Sequence, residues 1–385
     1  MTTPQDLDER FREAVGALTA ATARRDGDAP VRDGTALTGD LALELFDAQV
    51  TSRHLDLAAR WLRSFGEGFY TVGSSGHEGN AAVAAALRPT DPALLHYRSG
   101  AFYCARAQQL EDTDAARDVL RGVVASAHEP IAGGRQKVFG HAALNVIPTT
   151  STVGAHLPRA VGIGFAIERA RRVVAGARPG RGPALPPAGG QPATGEPPLP
   201  WPEDAVVVAS FGDASVNHAS ATAAFNTAGW CDHSGLRLPV LFVCEDNGLG
   251  VSVRSPDGWV AATLRGRPGV RYLTADGGDL AAAYDVAAEA AAWVRRHRRP
   301  AVLHLRTVRL MGHAGADAEA GYRAAADIAR DIARDPVVAT ARLLVAAGVA
   351  DAEDLIGRYD EIGWHVRKVA EDVLAEPKLA DAADV

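Results

Sequence analysis

Residues 211–215 read FGDAS, and residues 245–249 read EDNGL. Each follows an apolar run, residues 205–209 before the first and residues 240–244 before the second, and such runs predict buried parallel strands. Ligands of open α/β sheets bind beyond the carboxyl ends of these strands. A carboxylate and an amide at that edge offer hard oxygen ligands, so the pair predicts a Mg²⁺ site that phosphate oxygens and water complete.

Around this pair, helices and short apolar strands alternate from about residue 69 to residue 308. The alternation predicts an α/β fold, a mostly parallel sheet with helices on both faces. Apolar residues at helical spacing predict further helices at the two ends of the chain. The predicted terminal helices span residues 3–24, 39–62, 325–347 and 351–374.

We therefore divide the chain into an N-terminal helical extension (1–68), an α/β domain (69–330) and C-terminal helices (331–385). Residues 177–204 within the domain are rich in proline and glycine and poor in large apolar side chains. Burial cannot offset the entropy of ordering such a segment, so we expect a disordered surface loop. An interdomain linker is disfavoured because the flanking elements belong to one set of motifs.

Composition excludes several classes of protein. The net charge of −7 and the lack of a basic tract argue against nucleic-acid binding, and no apolar run is long enough for a membrane span. The N-terminus lacks the apolar centre of a secretion signal. Cys104, Cys231 and Cys244 show no metal or disulfide spacing. We expect a soluble cytoplasmic protein.

The spacing of motif residues argues against other nucleotide-binding and metal-dependent proteins. No G-x-G-x-x-G follows a predicted strand, which argues against a nicotinamide enzyme, and no phosphate loop of the GK[ST] type is present. His77-Glu78 lacks the second histidine of a zinc protease.

The pair Gly212-Asp213 and Asn247 resembles the fingerprint of thiamine diphosphate enzymes. From about residue 69 to 323 the chain resembles the α subunit of the decarboxylating component of 2-oxo acid dehydrogenase complexes. The resemblance implies the thiamine diphosphate-binding fold and a Mg²⁺ ion held by Asp213, Asn247 and the carbonyl of Leu249. It also implies that Gly212, Ala214 and Ser215 meet the diphosphate, with backbone N–H groups at a helix N-terminus.

Three departures from the family pattern stand near this motif. Ala214 replaces the usual glycine, and His218 replaces a usual acidic residue. The separation between the two metal positions is longer than usual, with residues 231–237 as the apparent insert. For His218 two interpretations stay open, a place near the diphosphate or an ordinary helix position.

Two further segments carry the resemblance. Tyr97 and Arg98 resemble the element whose arginine meets the diphosphate. Residues 311–317 (MGHAGAD) resemble the mobile active-site loop, in which His313 reaches the cofactor and takes part in acyl transfer. We expect Arg309, Asp317 and Arg323 to pair and order this loop. Ala314 and the two residues after it offer no hydroxyl, which excludes phosphorylation there.

Residues 150–158 resemble the turn beneath the thiamine rings. By that resemblance the backbone of Val153 bonds the aminopyrimidine and its side chain props the cofactor in a bent shape. Ser151 would lie near this cradle, where the resemblance also implies a structural K⁺. An N-cap at Ser151 or Thr152 is compatible with this role.

A second domain type, which grips the pyrimidine, completes a thiamine diphosphate site. Only about sixty residues follow the active-site loop region, fewer than a domain of roughly a hundred residues needs. We therefore expect that domain on a β-type subunit, or on a C-terminal continuation of a longer parent chain. The resemblance also implies an α₂β₂ form and a lipoyl acyltransferase partner.

The implied reaction is oxidative decarboxylation of a 2-oxo acid with acyl transfer to a lipoyl group. Phe69-Tyr70 followed by Gly76–Gly79 favours branched-chain substrates over pyruvate, and acetoin is a third option. Two other classes remain: a self-sufficient decarboxylase, which would need the missing domain, and a catalytically degenerate subunit.

Overall fold

The structure is a computed structural model that describes residues 4–69, 71–129, 131, 138–150, 152–177 and 200–384. Ser151, Tyr70 and most of the proline- and glycine-rich segment lie outside the described residues. The longer helices, in chain order, are α1 (Pro4–Gly16), α2 (Gly39–Ser64), α3 (Ala81–Ala85), α4 (Gly100–Ala107), α5 (Ala115–Val124), α6 (Leu157–Ala177), α7 (Ala219–His233), α8 (Trp259–Arg265), α9 (Leu280–His297), α10 (Ala325–Ile332), α11 (Pro336–Ala347) and α12 (Ala352–Leu374).

A five-stranded parallel sheet forms the centre of the fold, in the order β1-β2-β3-β7-β6. The register pairs Gly212 with Glu245 across β2 and β3, and Glu245 with Leu305 across β3 and β7. An antiparallel pair, β4 and β5, forms a small hairpin beside it. The strands are β1 (Ala93–Leu94), β2 (Val207–Gly212), β3 (Val240–Asp246), β4 (Leu249–Gly250), β5 (Val253–Arg254), β6 (Arg271–Asp276) and β7 (Ala301–Arg306).

Side chains of the central strands alternate between two hydrophobic clusters. Val208 and Leu241 pack on one face with α1 to α5, α9, α11 and α12. Val207 and Phe242 pack on the other with α6, α7 and α8. Because successive strand residues point to opposite faces and helices cover both, these strands carry apolar residues at consecutive positions rather than at every second one. The predicted α/β fold class is confirmed.

The terminal helices differ in their limits from the prediction. The region predicted as one helix over 325–347 is two, α10 and α11, because proline disfavours helical backbone at the residue before it. Asp335 instead caps α11, accepting the Val337 N–H at 2.9 Å, and Pro336 occupies the first helical turn. The first helix ends at Gly16. Within the described ranges, no helix is both long and apolar enough to cross a membrane.

The N-terminal helices pack on the rest of the chain through apolar and charged contacts. Phe11 stacks on Tyr359 of α12 with ring centroids 4.1 Å apart. Arg53 of α2 is fully buried and donates to Glu78 Oε1 at 2.8 Å and to both carboxylate oxygens of Asp335 at 2.9 Å. Burial raises the pKa of Glu78 above its ordinary range, even beside Arg53. This ion cluster fastens α2 to the segment before α3 and to the start of α11.

Candidate active site

Asp213 and Asn247 meet at the carboxyl edge of the sheet. They directly follow β2 and β3, two adjacent parallel strands in which Gly212 pairs with Glu245. The Asn247 backbone hydrogen-bonds to the Asp213 carboxylate, and Ser255 donates its hydroxyl to the same group. Burial, together with the nearby charge of Asp246, raises the pKa of Asp213. The two halves of the predicted metal motif therefore form one contiguous polar site.

The turn after Asn247 brings the Leu249 backbone against the Asn247 side chain. Gly248 adopts a φ of +72°, a left-handed conformation that glycine accepts without strain. This turn lets Asn247 Oδ1 accept the Leu249 N–H at 3.0 Å. Leu249 then begins the β4–β5 hairpin. The insert at residues 231–237 ends α7 and leads into the opposite end of β3, so it lies away from this turn.

Ala214 and its neighbours lie at the start of a short helix that directly follows β2. Gly212 ends β2, and Asp213–Asn217, which includes Ser215, forms a 3₁₀ helix. The α-helix α7 begins only at Ala219, so the helix N-terminus at Ala214 is that of the 3₁₀ helix. A Cβ at Gly250 would lie 2.8 Å from the Ala214 methyl. The glycine in the hairpin therefore makes room for the alanine that replaces the usual glycine.

His218 caps α7 and also lies against the turn predicted to hold the thiamine rings. Its Nδ1 accepts the Ser220 N–H at 3.2 Å. A Cβ at Gly154 would lie 3.7 Å from His218. His218 is thus both a helix-capping residue and a neighbour of the 152–156 turn. Within that turn, Val153 is exposed and precedes Gly154, whose φ is +74°.

Arg98 and His313 come together from distant parts of the chain. An Arg98 guanidinium nitrogen lies 3.0 Å from His313 Nδ1, and the rings of Tyr97 and His313 meet edge to face at 6.0 Å. Burial and the charge of Arg98 lower the pKa of His313 to about 4. Because a guanidinium can only donate, Nδ1 accepts and the neutral imidazole carries its proton on Nε2.

A network of side chains orders the active-site loop (residues 311–317). Asp317 accepts the His313 N–H at 2.6 Å and also binds the Tyr322 hydroxyl. Arg309 donates to that hydroxyl, to Glu319 at 3.1 Å and to the Val251 carbonyl at 2.7 Å. Arg309 lies 3.8 Å from Asp317, as expected from the sequence.

Arg323 has partly different partners from those expected. It donates to Glu319 at 2.9 Å, to Asp331 and to the Arg309 carbonyl at 3.3 Å, and within the described residues it forms no ion pair with Asp317. Glu319 is shared by Arg309 and Arg323, and the sequence analysis did not single it out. The sequence feature that could have identified Glu319 is its position four residues before Arg323, a spacing that allows an ion pair within one turn.

A buried polar cluster behind Asn247 was also missed. His77 Nδ1 lies 2.8 Å from Glu245, and His77 Nε2 lies 2.8 Å from Asn247 Nδ2. His96 Nε2 lies 3.2 Å from the same carboxylate. Although burial opposes it, His96 and His77 hold the pKa of Glu245 well below its usual range. The sequence gives little sign of this cluster because 168 residues separate His77 from Glu245.

Known proteins are similar in sequence to parts of this chain. The pyruvate dehydrogenase E1 component subunit alpha of Zymomonas mobilis is 33% identical over 179 residues, 45% of this chain and 48% of that protein. The mitochondrial 2-oxoisovalerate dehydrogenase subunit alpha 2 of Arabidopsis thaliana is 24% identical over 295 residues, 75% of this chain and 53% of that protein. The chain thus matches about half the length of these two relatives.

A longer match is found with the somatic mitochondrial pyruvate dehydrogenase E1 component subunit alpha of Bos taurus. It is 25% identical over 346 residues, 88% of this chain and 76% of that protein. The sequence profile of the Dehydrogenase E1 component family matches residues 48–381. That range includes every segment of the site described above and most of the 385 residues. The chain therefore belongs to the dehydrogenase E1 component family.

Proposed function

We propose that this chain is the α-type subunit of a thiamine diphosphate-dependent 2-oxo acid dehydrogenase. The observation that carries the proposal is the contact of Arg98 with His313, 3.0 Å apart although 215 residues separate them, on the same sheet edge as Asp213 and Asn247. An α/β fold as such requires neither the contact of Arg98 with His313 nor the meeting of Asp213 with Asn247. Membership in the E1 family supports the same activity, since the relatives carry the names of pyruvate and 2-oxoisovalerate dehydrogenase subunits.

The oxygen donors at the edge suit a bound Mg²⁺ ion. Asp213 offers a buried carboxylate, Asn247 an amide oxygen and Leu249 a backbone carbonyl, which are hard ligands. Burial disfavours the charged form of Asp213, and a bound cation would favour it again. Two diphosphate oxygens and a water would complete an octahedron.

The remaining site residues have roles that follow from their chemistry. Arg98 would meet the diphosphate with its fork of N–H donors, with Tyr97 beside it. Val153 would support the rings from the 152–156 turn, and Ser151, with a structural K⁺, belongs to the same proposal. When bound, thiamine diphosphate supplies the electron sink for loss of carbon dioxide. His313, with its proton on Nε2, would move that proton during acyl transfer.

For the substrate we keep a branched-chain 2-oxo acid as the proposal, with pyruvate and acetoin as alternatives. The support is the residue pattern at Phe69-Tyr70 and Gly76–Gly79. The relatives named above include subunits of both pyruvate and 2-oxoisovalerate dehydrogenases, so they are compatible with either acid.

The proposed partners are a β-type subunit, or a C-terminal continuation, that carries the pyrimidine domain, and a lipoyl acyltransferase component. The names "component" and "subunit alpha" of the relatives support assembly with other chains. We also propose the division into residues 1–68, 69–330 and 331–385. A cytoplasmic location is supported by the spacing of the three cysteines, which shows no disulfide pattern, since a reducing compartment keeps such residues as thiols.

The test is reduction of an artificial electron acceptor by a 2-oxo acid, with Mg²⁺ and thiamine diphosphate. The chain is assayed alone, with a β-type partner, and as Asp213→Ala with that partner. We expect activity only in the wild-type mixture, fastest with 3-methyl-2-oxobutanoate. Faster turnover of pyruvate would remove the branched-chain proposal. No turnover of any 2-oxo acid by an intact complex would refute the activity and favour acetoin cleavage or a degenerate subunit.

A further inference from the structure

A buried carboxylate, Glu245, organises the polar cluster behind the proposed metal site. It accepts hydrogen bonds from His77 Nδ1 at 2.8 Å, from Asn80 Nδ2 at 3.1 Å and from the Ser99 hydroxyl at 3.0 Å. Each of these four residues is at most 1% exposed. The carboxylate is therefore surrounded by donors and cannot exchange them for water.

This arrangement fixes which nitrogen of His77 carries the proton. An ionised carboxylate can only accept, so the ring donates to Glu245 through Nδ1. In a neutral imidazole the other nitrogen then has a free lone pair. His77 Nε2 lies 2.8 Å from Asn247 Nδ2, so it accepts a hydrogen bond from the amide. Glu245 thus determines that His77 is the acceptor, and Asn247 the donor, of the hydrogen bond between them.

The same contact fixes the orientation of the Asn247 side chain. The amide nitrogen can only donate and is held toward His77, so Oδ1 lies on the other branch, where it accepts the Leu249 N–H at 3.0 Å. A rotated amide would present its NH₂ group on the side of Asp213 and Leu249. An NH₂ group cannot ligate a cation.

We propose that His77 is a positioning residue that keeps the oxygen of Asn247, rather than its nitrogen, turned toward the cation. This inference rests on the proposed function, because it requires a metal ion at Asp213 and Asn247. Groups that orient metal ligands from behind typically change metal affinity about 10- to 100-fold when they are removed. His77 makes this contact through the acceptor on its ring, so an acceptor at this position is what the site needs.

Three substitutions at residue 77 distinguish the effect of its hydrogen-bonding groups from the effect of its side-chain packing. His77→Gln keeps one acceptor for Asn247 and one donor for Glu245. His77→Met fills a similar volume with neither. His77→Lys keeps a donor to Glu245, so that carboxylate stays paired, but offers Asn247 only donors and favours the rotated amide. As a matched control, Ser99→Ala removes a different donor to Glu245 and leaves the contact with Asn247 in place.

The readout is binding of Mn²⁺ to the full chain with thiamine diphosphate, counted from the electron paramagnetic resonance signal of the free ion. Unfolding in urea is measured in parallel to verify that each variant is folded. We expect wild type, His77→Gln and Ser99→Ala to bind Mn²⁺ within about threefold of one another, and His77→Met and His77→Lys to bind about 10- to 100-fold more weakly.

Three patterns overturn the inference alone. The first is wild-type affinity in His77→Lys, and the second is equal losses in His77→Gln and His77→Met. The third is a Ser99→Ala loss as large as that of His77→Met, since general loosening of the cluster would then explain both. If Asp213→Ala binds Mn²⁺ as well as wild type does, the metal site itself is wrong, and the proposed function fails with this inference. The Asp213 variant therefore distinguishes the two failures.

Discussion

Replacing Arg53 by methionine tests the ion cluster that joins α2 to the body of the fold. The substitution keeps much of the side-chain volume but removes three charge-assisted hydrogen bonds of 2.8 to 2.9 Å. Glu78 and Asp335 would stay buried, at 0% and 6% exposure, without their cation. Removing one partner from a buried ion pair costs about 3–5 kcal/mol, so we expect the free energy of unfolding to fall by that amount.

The assay is equilibrium unfolding in urea at pH 7, followed by circular dichroism. Arg32→Met is the matched control, because Arg32 pairs with Asp279 at 2.9 Å but both side chains are about 40% exposed. We expect it to change the free energy of unfolding by less than about 1 kcal/mol. Adding Glu78→Gln to Arg53→Met should be less destabilising than the sum of the two single changes, since one buried charge is then removed.

A loss below about 1 kcal/mol in Arg53→Met, equal to that of the surface control, would refute this reasoning. It would mean that water or a rearranged side chain reaches the two carboxylates, and that α2 is not fastened through them. Additive effects of Arg53→Met and Glu78→Gln would also contradict it, because contacting charges must couple.

Two further predictions concern the active-site loop and pH, and a third concerns a segment outside the described residues. Tyr322→Phe removes the hydroxyl that Asp317 and Arg309 share, so hydrogen exchange in the loop should speed up by roughly tenfold or more; unchanged exchange would contradict the network. Burial lowers the pKa of His54 to about 4, below its value of about 6.5 in the unfolded chain. The unfolded chain therefore binds the proton first, and stability present above about pH 6.5 falls toward pH 4 by up to about 3 kcal/mol. His54→Gln should flatten that decline in urea titrations at several pH values, and an unchanged slope would argue against it. Deleting residues 181–198 should leave acceptor reduction nearly unchanged, whereas a large loss would indicate that the segment packs or binds a partner.

The fold and the edge that carries the site follow from patterns that are local in the chain. Apolar runs end at Gly212 and Asp246, and parallel strands bring their carboxyl ends together, so the meeting of Asp213 and Asn247 was predictable. The break between α10 and α11 was also visible in principle, since Asp335 followed by Pro336 is a strong start signal for a helix.

What the sequence could not supply is the geometry of distant side chains. The 3₁₀ helix that begins at Asp213 is followed by His218, which caps α7, and histidine is not among the residues that usually cap a helix. His77 and Glu245 are buried polar residues, and nothing in the local sequence around either one indicates that the other is its partner. Only the tertiary fold, which places His77, just before the turn at Glu78–Asn80, against the end of β3, makes them one cluster.

Val251 connects two parts of the site that could otherwise change independently. It is a β-branched residue with a φ of +58°, a conformation that costs of order 1–3 kcal/mol, and its carbonyl accepts a hydrogen bond from Arg309. The hairpin that begins at Leu249 and the loop that carries His313 thus share one arginine. Suppose that a ligand at the hairpin raises the equilibrium constant for ordering the loop by some factor. By thermodynamic linkage, ordering of the loop then raises the affinity for that ligand by the same factor. Substituting Val251 should therefore change both quantities together, and by the same ratio.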